Sequence, residues 1–308
     1  DPEADPVAMQ YVPQLKELDQ AAEELIDPIG DDAHSPVKGI VHRYPDRVLL
    51  QPVQVCAVYC RYCFRREKVG QHGQILNDNE LEAALDYIRG NENIWEVILT
   101  GGDPFVLSPR QLTGLLQKLC AIDHVKIIRF HTRVPVADPA RITLKLAEIL
   151  KQAQELGKAI YVVIHINHAR ELGDDVHAAL NMLKHAGCVI LSQSVLLRGV
   201  NDNVEALENL FRTLIQIGIK PYYLHHLDYA PGTSHFRVSI EAGQELMRAL
   251  QGRISGICLP TYMLDIPGGY GKIPLTPCYI DDDGAGGYKV QNYKREVFSY
   301  PPKGVEQP

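Results

Sequence analysis

Cys56-Ala57-Val58-Tyr59-Cys60-Arg61-Tyr62-Cys63 puts three cysteines in one short stretch, with three and then two residues between them. Three thiolates so spaced can wrap one face of an iron–sulfur cube and leave the fourth iron without a protein ligand. An open iron beside a reducing cluster can bind and cleave a small molecule, whereas a fully ligated cluster only passes electrons. The same spacing also suits a structural zinc site, which closes with a fourth Cys or His. His72 is the nearest candidate, and no second close cysteine pair follows.

Around this stretch the chain alternates apolar, β-rich runs with helical periods. The runs at 48–55, 94–99, 125–130, 160–164, 189–195 and 220–224 read as strands. Residues 80–89, 109–119, 140–156, 171–185, 204–217 and 241–251 read as helices. Ser108-Pro109-Arg110-Gln111 supplies a cap, a first-turn proline and a capping-box glutamine. Asp138-Pro139 repeats the cap-plus-proline signal, and Gly90 and Gly157 close two helices. Strands separated by helices of this length imply right-handed βαβ units and a parallel sheet, an α/β fold. Six units are too few for a closed eight-fold barrel, and periodicity alone equally allows an open doubly wound sheet. A further apolar run, 257–264, leads into a glycine loop. Residues 1–37 read as an N-terminal helical arm with a helical pattern over 9–25 and a break at Gly30-Asp31-Asp32. Residues 38–280 form the main domain, and 281–308 a tail with a hairpin or loose strand.

The net charge of −7, without a Lys/Arg stripe, argues against nucleic acid as a ligand. No apolar run reaches membrane-spanning length, and the acidic first residues do not read as a secretory signal. Cys120, Cys188, Cys258 and Cys278 are scattered, mostly in apolar runs, and are expected to be reduced packing residues in a cytoplasmic protein.

Three further segments narrow the reading: His42-Arg43-Tyr44-Pro45-Asp46-Arg47-Val48-Leu49-Leu50, Gln193-Ser194-Val195-Leu196-Leu197-Arg198-Gly199-Val200-Asn201-Asp202, and Pro267-Gly268-Gly269-Tyr270-Gly271-Lys272. With the cysteine run, and in this order, they resemble the lysine 2,3-aminomutase family of radical S-adenosylmethionine enzymes. The resemblance implies a partial (βα)6 TIM-type barrel in which a [4Fe-4S] cluster, S-adenosylmethionine and pyridoxal 5′-phosphate share one active site. It makes Cys56, Cys60 and Cys63 the cluster ligands. In a parallel barrel, functional residues gather at the C-terminal ends of strands, and both the cysteines and Thr100-Gly101-Gly102-Asp103 follow predicted strands. Glycines at a strand end allow close approach of a ligand, although a tight turn would explain them too. The resemblance makes Gly101, Gly102 and Asp103 the segment that receives the amino end of the methionine moiety, and Tyr62 the aromatic residue beside the adenine. His165 and Gln193 stand near the ends of the fourth and fifth predicted strands and are expected to line the same cavity; a core His or Gln satisfied by backbone fits as well.

The loop before Lys272 has almost no side-chain bulk and can fold over a flat cofactor. Unaided, it also reads as a flexible surface loop. Pyridoxal phosphate needs a lysine amine to hold it as a Schiff base, and the resemblance assigns that role to Lys272. Tyr270 stands where the family commonly has another glycine. Arg43 and Arg47 match positions near the cofactor phosphate, where a guanidinium fork suits phosphate oxygens; a surface pair with Asp46 is the plainer alternative. By resemblance Arg65 pairs with the α-carboxylate of an amino acid, and Asp228 and Asp265 hold its distal ammonium. Two acids in one pocket favour lysine, or ornithine, over glutamate.

The activity so implied is interconversion of L-lysine and β-lysine by a 1,2-amino shift on the pyridoxal phosphate aldimine, initiated by a 5′-deoxyadenosyl radical. Alternatives are β-lysine supply for modification of elongation factor P, action on ornithine or arginine, and a non-catalytic iron–sulfur or zinc protein. An electron donor such as flavodoxin or ferredoxin and a homo-oligomeric state are expected. The zinc-binding cysteine cluster at the C-terminus of longer family members has no counterpart after Cys278.

Overall fold

The computed structural model describes residues 2, 4–19, 21–70 and 73–302. Its main sheet begins with a hairpin, β1 (Ile40–Tyr44) running antiparallel to β2 (Arg47–Val53). From β2 the strands follow in sequence order and in parallel: β3 (Glu96–Gly101), β4 (Ile127–Thr132), β5 (Ala159–His165), β6 (Val189–Val195), β7 (Lys220–His225) and β8 (Thr261–Asp265). A short β9 (Lys272–Pro274) then turns back antiparallel on β8. Among the described residues no ladder joins β9 to β1, so the sheet is a partial barrel with a seam.

The crossovers are α1 (Asp78–Arg89), α2 (Pro109–Cys120), a single turn α3 (Val134–Ala137), α4 (Leu144–Glu155), α5 (Asp174–His185), α6 (Val204–Gln216) and α7 (Ile240–Leu250). Alternation along each strand divides the two faces. Val97, Leu99, Ile128, Phe130, Ile160, Val162, Ile190 and Leu224 are buried in one core with helix residues such as Leu112, Leu116, Leu150, Leu180, Leu210 and Leu214. The alternate residues, among them Arg47, Gln51, Arg129, His131, Tyr161, Gln193, Tyr223 and His225, face the concave side and are only partly buried. That polar lining is the wall of a site, not a second core.

The expected elements recur with shifted ends, and some expectations are corrected. Ser108 forms the capping box, but Asp138 caps nothing with its side chain. Pro139–Arg141 makes a separate 3-10 turn, and Thr143 caps α4 by accepting from Leu146 N at 3.2 Å. The parallel strands number seven among the described residues, because the run at 257–264 supplies β8 after a 3-10 turn at Gly256–Cys258. The arm is not one helix over 9–25: among the described residues it makes only 3-10 turns, at Ala8–Gln10, Leu15–Leu18 and Asp32–His34. Pro13 has no N–H to continue a helix, and Leu15 and Leu18 of its apolar pattern are exposed. Polar bonds hold the arm instead, with Glu17 bridging Arg61 and Arg66 and Glu24 pairing with Arg237 at 2.8 Å.

The tail forms a three-stranded antiparallel sheet, β10 (Ile280–Asp282), β11 (Tyr288–Gln291) and β12 (Val297–Tyr300). Cys188 and Cys258 are buried and Cys120 partly so, whereas Cys278 is exposed and does not pack as expected. Among the described residues no helix is long and apolar enough to cross a membrane.

Two glycines separate packing from propensity. A Cβ on Gly102 would overlap the carbonyl and amide of Val55, where the β3 loop crosses the start of the cysteine loop. Gly114 sits inside α2 with open space where its Cβ would be. Gly102→Ala is expected to destabilise the fold by about 2–3 kcal/mol, and Gly114→Ala to stabilise it by about 0.5–1 kcal/mol. Urea unfolding of both variants tests this; a neutral Gly102→Ala would contradict the packing.

Candidate active site

The loop that follows β2 carries Cys56, Cys60 and Cys63, all partly buried and unpaired. Burial pushes the Cys56 thiol up to about 12, with Asp103, Cys63 and Cys60 adding to it. Burial and Cys60 push Cys63 up to about 11. The three sulfurs therefore lie within electrostatic reach of one another. Cys56 and Cys63 would shed their protons only to a strongly cationic centre. This all-thiolate set fits an iron–sulfur cluster. His72, the fourth ligand a closed zinc site would need, lies outside the described residues.

Directly behind this loop lies Arg133, at the end of β4 and only 6% exposed. Its Nη1 donates to Cys60 Sγ at 3.1 Å and to the Tyr62 hydroxyl. Its Nη2 donates to Gln10 Oε1 at 2.6 Å and Glu171 Oε2 at 2.8 Å. Asn167 Nδ2 reaches the same Tyr62 hydroxyl at 2.6 Å and Gln10 at 2.9 Å. Tyr62 is thus buried, its hydroxyl 2.8 Å from His165 Nε2 and its ring stacked on that imidazole and edge-on to Phe236. Gln193 is half-buried and in register with His165 on the neighbouring strand.

Asp103 is likewise occupied. Its carboxylate accepts from Thr132 Oγ1 (2.7 Å), Arg133 N (2.7 Å), Phe105 N (3.0 Å) and Val134 N (3.1 Å). These bonds tie the β3 loop to α3 and leave the side chain no free edge for a ligand. Gly101, at φ 98°, and Gly102 let that loop lie against Val53 and Val55, with Gly102 N donating to Val53 O at 2.7 Å.

A second cluster stands at the ends of β7 and β8 and over the seam. Lys272 Nζ pairs with Asp265 Oδ2, and Arg43 Nη1 lies 3.9 Å from Asp265 Oδ1. Arg43 also donates to Asp31 Oδ1 at 3.3 Å, while Arg65 grips Asp31 Oδ2 through Nη2 at 2.8 Å and Nε at 2.9 Å. Burial and the neighbouring Asp265 charge push Asp228 up to about 7, against the pull of Lys272 and Arg65. His225, with Nδ1 3.8 Å from Asp265 Oδ2, is driven down to about 3 by burial and by Lys272. Burial, together with Arg129, His225, Lys272 and Arg65, likewise keeps His131 neutral. Asp265 Oδ1 and Arg43 Nε are buried without a hydrogen-bond partner. Leaving such atoms unpaired costs about 1–3 kcal/mol each, so the cluster is built to receive a polar group. A lysine amine, guanidinium donors and carboxylates around one buried space fit an aldehyde cofactor bearing a phosphate and an amino-acid substrate.

The structure brings Lys272, Arg43, Arg65, Asp228 and Asp265 together, and groups Cys60, Tyr62 and His165 beside them. Arg47 stays apart. It starts β2, at the end of the strand opposite the cysteine loop, pairs with the exposed Asp46 at 2.6 Å and lies over the Tyr44 ring at 3.9 Å. Gln10, Asp31, Arg133, Asn167, Glu171 and His225 were not singled out from sequence. Arg133, Asn167 and His225 sit at or just past strand ends, so the strand-end rule could have found them. Gln10 and Asp31 sit on the arm, with no such signal.

Partial barrel and thiol loop together define a radical S-adenosylmethionine enzyme: residues 50–212 match the Radical SAM superfamily model, and 247–305 the Lysine-2,3-aminomutase model. The chain is 39% identical over 296 residues to L-lysine 2,3-aminomutase of Clostridium subterminale, covering 96% of this chain and 70% of that one. The Methanococcus maripaludis L-lysine 2,3-aminomutase is 40% identical, with 96% and 67% covered. Glutamate 2,3-aminomutase of Clostridioides difficile is 36% identical, with 97% and 70% covered. Among solved structures, Streptococcus suis SuiB bound to S-adenosylmethionine shares the fold at TM-score 0.51 and 14% identity, covering 72% of this chain and 51% of that one. A radical SAM methyltransferase from Sphaerobacter thermophilus does so at TM-score 0.50 and 20% identity, with 73% and 68% covered. The chain belongs to the lysine 2,3-aminomutase family, isomerases of the radical S-adenosylmethionine superfamily.

Arg133→Met should destabilise the chain by about 3–5 kcal/mol, because Glu171 is left as an uncompensated buried charge. Adding Glu171→Gln should recover part of that loss in urea unfolding; fully additive losses would mean the two are not coupled.

Proposed function

We propose that the chain interconverts L-lysine and β-lysine. The observation that carries this is the partly buried gathering of Lys272, Arg43 and Arg65 with Asp228 and Asp265 at the strand ends next to the thiol loop. Cys56, Cys60 and Cys63 would hold a [4Fe-4S] cluster with one open iron, and Lys272 would hold pyridoxal phosphate with Arg43 toward its phosphate. When bound, cluster and S-adenosylmethionine supply a carbon-centred radical that takes a hydrogen from the amino acid, and pyridoxal phosphate supplies the carbonyl that carries the migrating amine. With Asp103 fully bonded and Gly102 N held by Val53 O, the peptide carbonyls of this segment would meet the amino end of the methionine moiety. His165 and Gln193 complete that wall, and Tyr62 supports it from beneath instead of lying open to the adenine.

The remaining work belongs to side chains around the substrate. Arg65 offers its free Nη1 to the α-carboxylate. In the unloaded site Asp265 is neutralised by the Lys272 ammonium. Once that amine is engaged, Asp265 and Asp228 are free to take the distal ammonium of lysine. One ammonium replaces another, so the buried charge stays balanced. A glutamate side chain would instead set a third carboxylate against these two, which favours a cationic substrate over that of the glutamate-specific relative. The chain's unpaired cysteines suit a reducing cytoplasm, where a one-electron donor such as flavodoxin or ferredoxin would serve the cluster.

Anaerobic incubation with S-adenosylmethionine, pyridoxal phosphate, a reductant and L-lysine should yield β-lysine by chromatography, with ornithine, arginine and glutamate run in parallel. Conversion of glutamate but not lysine would overturn the assignment. Lys272→Ala should lose both product and the yellow absorbance of bound cofactor. The Asp228 value of about 7 adds a pH signature. Below it the carboxyl is neutral and cannot attract an ammonium; above it the charge is present. Engaging Lys272 in the cofactor removes one cation that holds Asp228 down, so lysine binding to the cofactor-loaded protein should tighten as pH rises through and above about 7, and Asp228→Asn should flatten that rise. An unchanged profile in the variant would remove Asp228 from the substrate pocket.

A further inference from the structure

In sequence Asp31 is only part of a break in the arm, yet it is 4% exposed and joins two of the three cations of the site. Its backbone is fixed first. Asp27 Oδ1 accepts from Asp31 N at 3.0 Å and Asp27 Oδ2 from Asp32 N at 2.8 Å, while Ser35 Oγ donates to Asp31 O at 2.8 Å. This turn is pressed onto the glycine loop that leads to Lys272. Gly30, at φ 66°, leaves no room for a Cβ against Gly268 and Gly269, and His34 Nε2 lies 3.0 Å from Gly269 O. Burial works to raise the Asp31 carboxyl, but Arg65, Arg43 and Lys68 together hold it below the usual carboxylate range, so it is charged.

The contact geometry gives the sense of its action. A guanidinium has five N–H donors in a fixed fork. Asp31 takes the Nε and Nη2 edge of Arg65 with one oxygen, and Nη1 has no partner among the described residues. The carboxylate grips the back of the guanidinium and leaves its outer end free. A competitor for the anion seat would occupy that outer end.

We infer that Asp31 is a positioning residue for substrate recognition, orienting Arg65 toward the α-carboxylate of the amino acid and thereby making the N-terminal arm part of the active site. This rests on the reading of Arg65 given above. An unrestrained arginine keeps most of its rotamer freedom and repels its cationic neighbours Arg43 and Lys272. Held by Asp31, it presents a pre-set donor end, which is where affinity for a planar carboxylate comes from.

The test uses the pyridoxal-phosphate-loaded protein without S-adenosylmethionine, titrated with L-lysine and with 1,5-diaminopentane, the same molecule lacking the carboxylate. Binding is read from the change in cofactor absorbance, and thermal unfolding checks each variant. Asp31→Asn should raise the dissociation constant for L-lysine on the order of tenfold, the scale of one charge-assisted hydrogen bond, and leave diaminopentane nearly unchanged. Asp31→Glu keeps the charge and should restore part of the difference. Arg65→Lys should show the same selective loss, and adding Asp31→Asn to it should change little more. A general structural role predicts equal weakening of both ligands in Asp31→Asn, and that result would overturn the inference while the function stands. Wild-type protein that binds lysine no better than diaminopentane would overturn the role of Arg65 itself.

Discussion

Arg133 carries a charge it cannot lose into a place almost closed to water. The effective penalty for burying such an ion is several kcal/mol, and it is offset only when geometry satisfies the group. The partners come from separate parts of the chain: Cys60 and Tyr62 from the loop after β2, Glu171 from the segment after β5, and Gln10 from the arm. The backbone N–H of Arg133 is bound by Asp103 from the loop after β3. One residue, through its guanidinium and its backbone amide, therefore ties together three loops at one end of the barrel and the arm. An apolar plug of equal volume could stabilise as much, but it would not fix angles. A centre that must be held at one orientation needs hydrogen bonds for that.

A different balance governs the neighbouring cluster. Arg43, Arg65 and Lys272 face Asp31, Asp228 and Asp265, with His131 and His225 held neutral by burial and by those cations. Cations and acids nearly cancel, and Asp228, pushed up to about 7, is the group able to adjust. Near neutral pH it takes or gives a proton for little free energy. Lys272 and Asp265 neutralise each other within that balance.

How much of this was legible in the sequence depended on the range of the interaction. Alternation and caps are local, so the parallel strands and their helices were readable to within a few residues; Ser108 and its box are an instance. The strand β1 escaped notice because five residues ending in a tight turn look like a loop until their partner is known. Lys272, Arg65, Asp228 and Asp265 are legible through motif resemblance, and the structure places them near one another. Arg47 stands apart from the cluster because a motif fixes sequence position but not strand end: it and Arg43 are four residues apart across a hairpin turn, which sends their side chains to different surroundings. Asp103 was assigned to a ligand when its four donors are internal. Asp31 and Arg133 owe their roles to partners far away in sequence, and no local pattern encodes those.

The seam between β1 and β9 completes the physical picture. A closed barrel would join these strands by a backbone ladder. Here the joint is made by side chains: the Tyr44 hydroxyl accepts from Lys272 N at 2.8 Å, His34 meets Gly269 O, and Arg43 faces Asp265. Each contact is short-range and individually modest, about 0.5–1.5 kcal/mol for an ordinary hydrogen bond. Such a joint can part without unpairing either strand from its own neighbour. The arm supplies three residues to the loop and strand ends beside it, Gln10 toward Tyr62, Glu17 toward Arg61 and Arg66, and Asp31 toward Arg65. The seam beside Lys272 is thus held by side chains, and the segment that precedes the first strand is the one that shapes it.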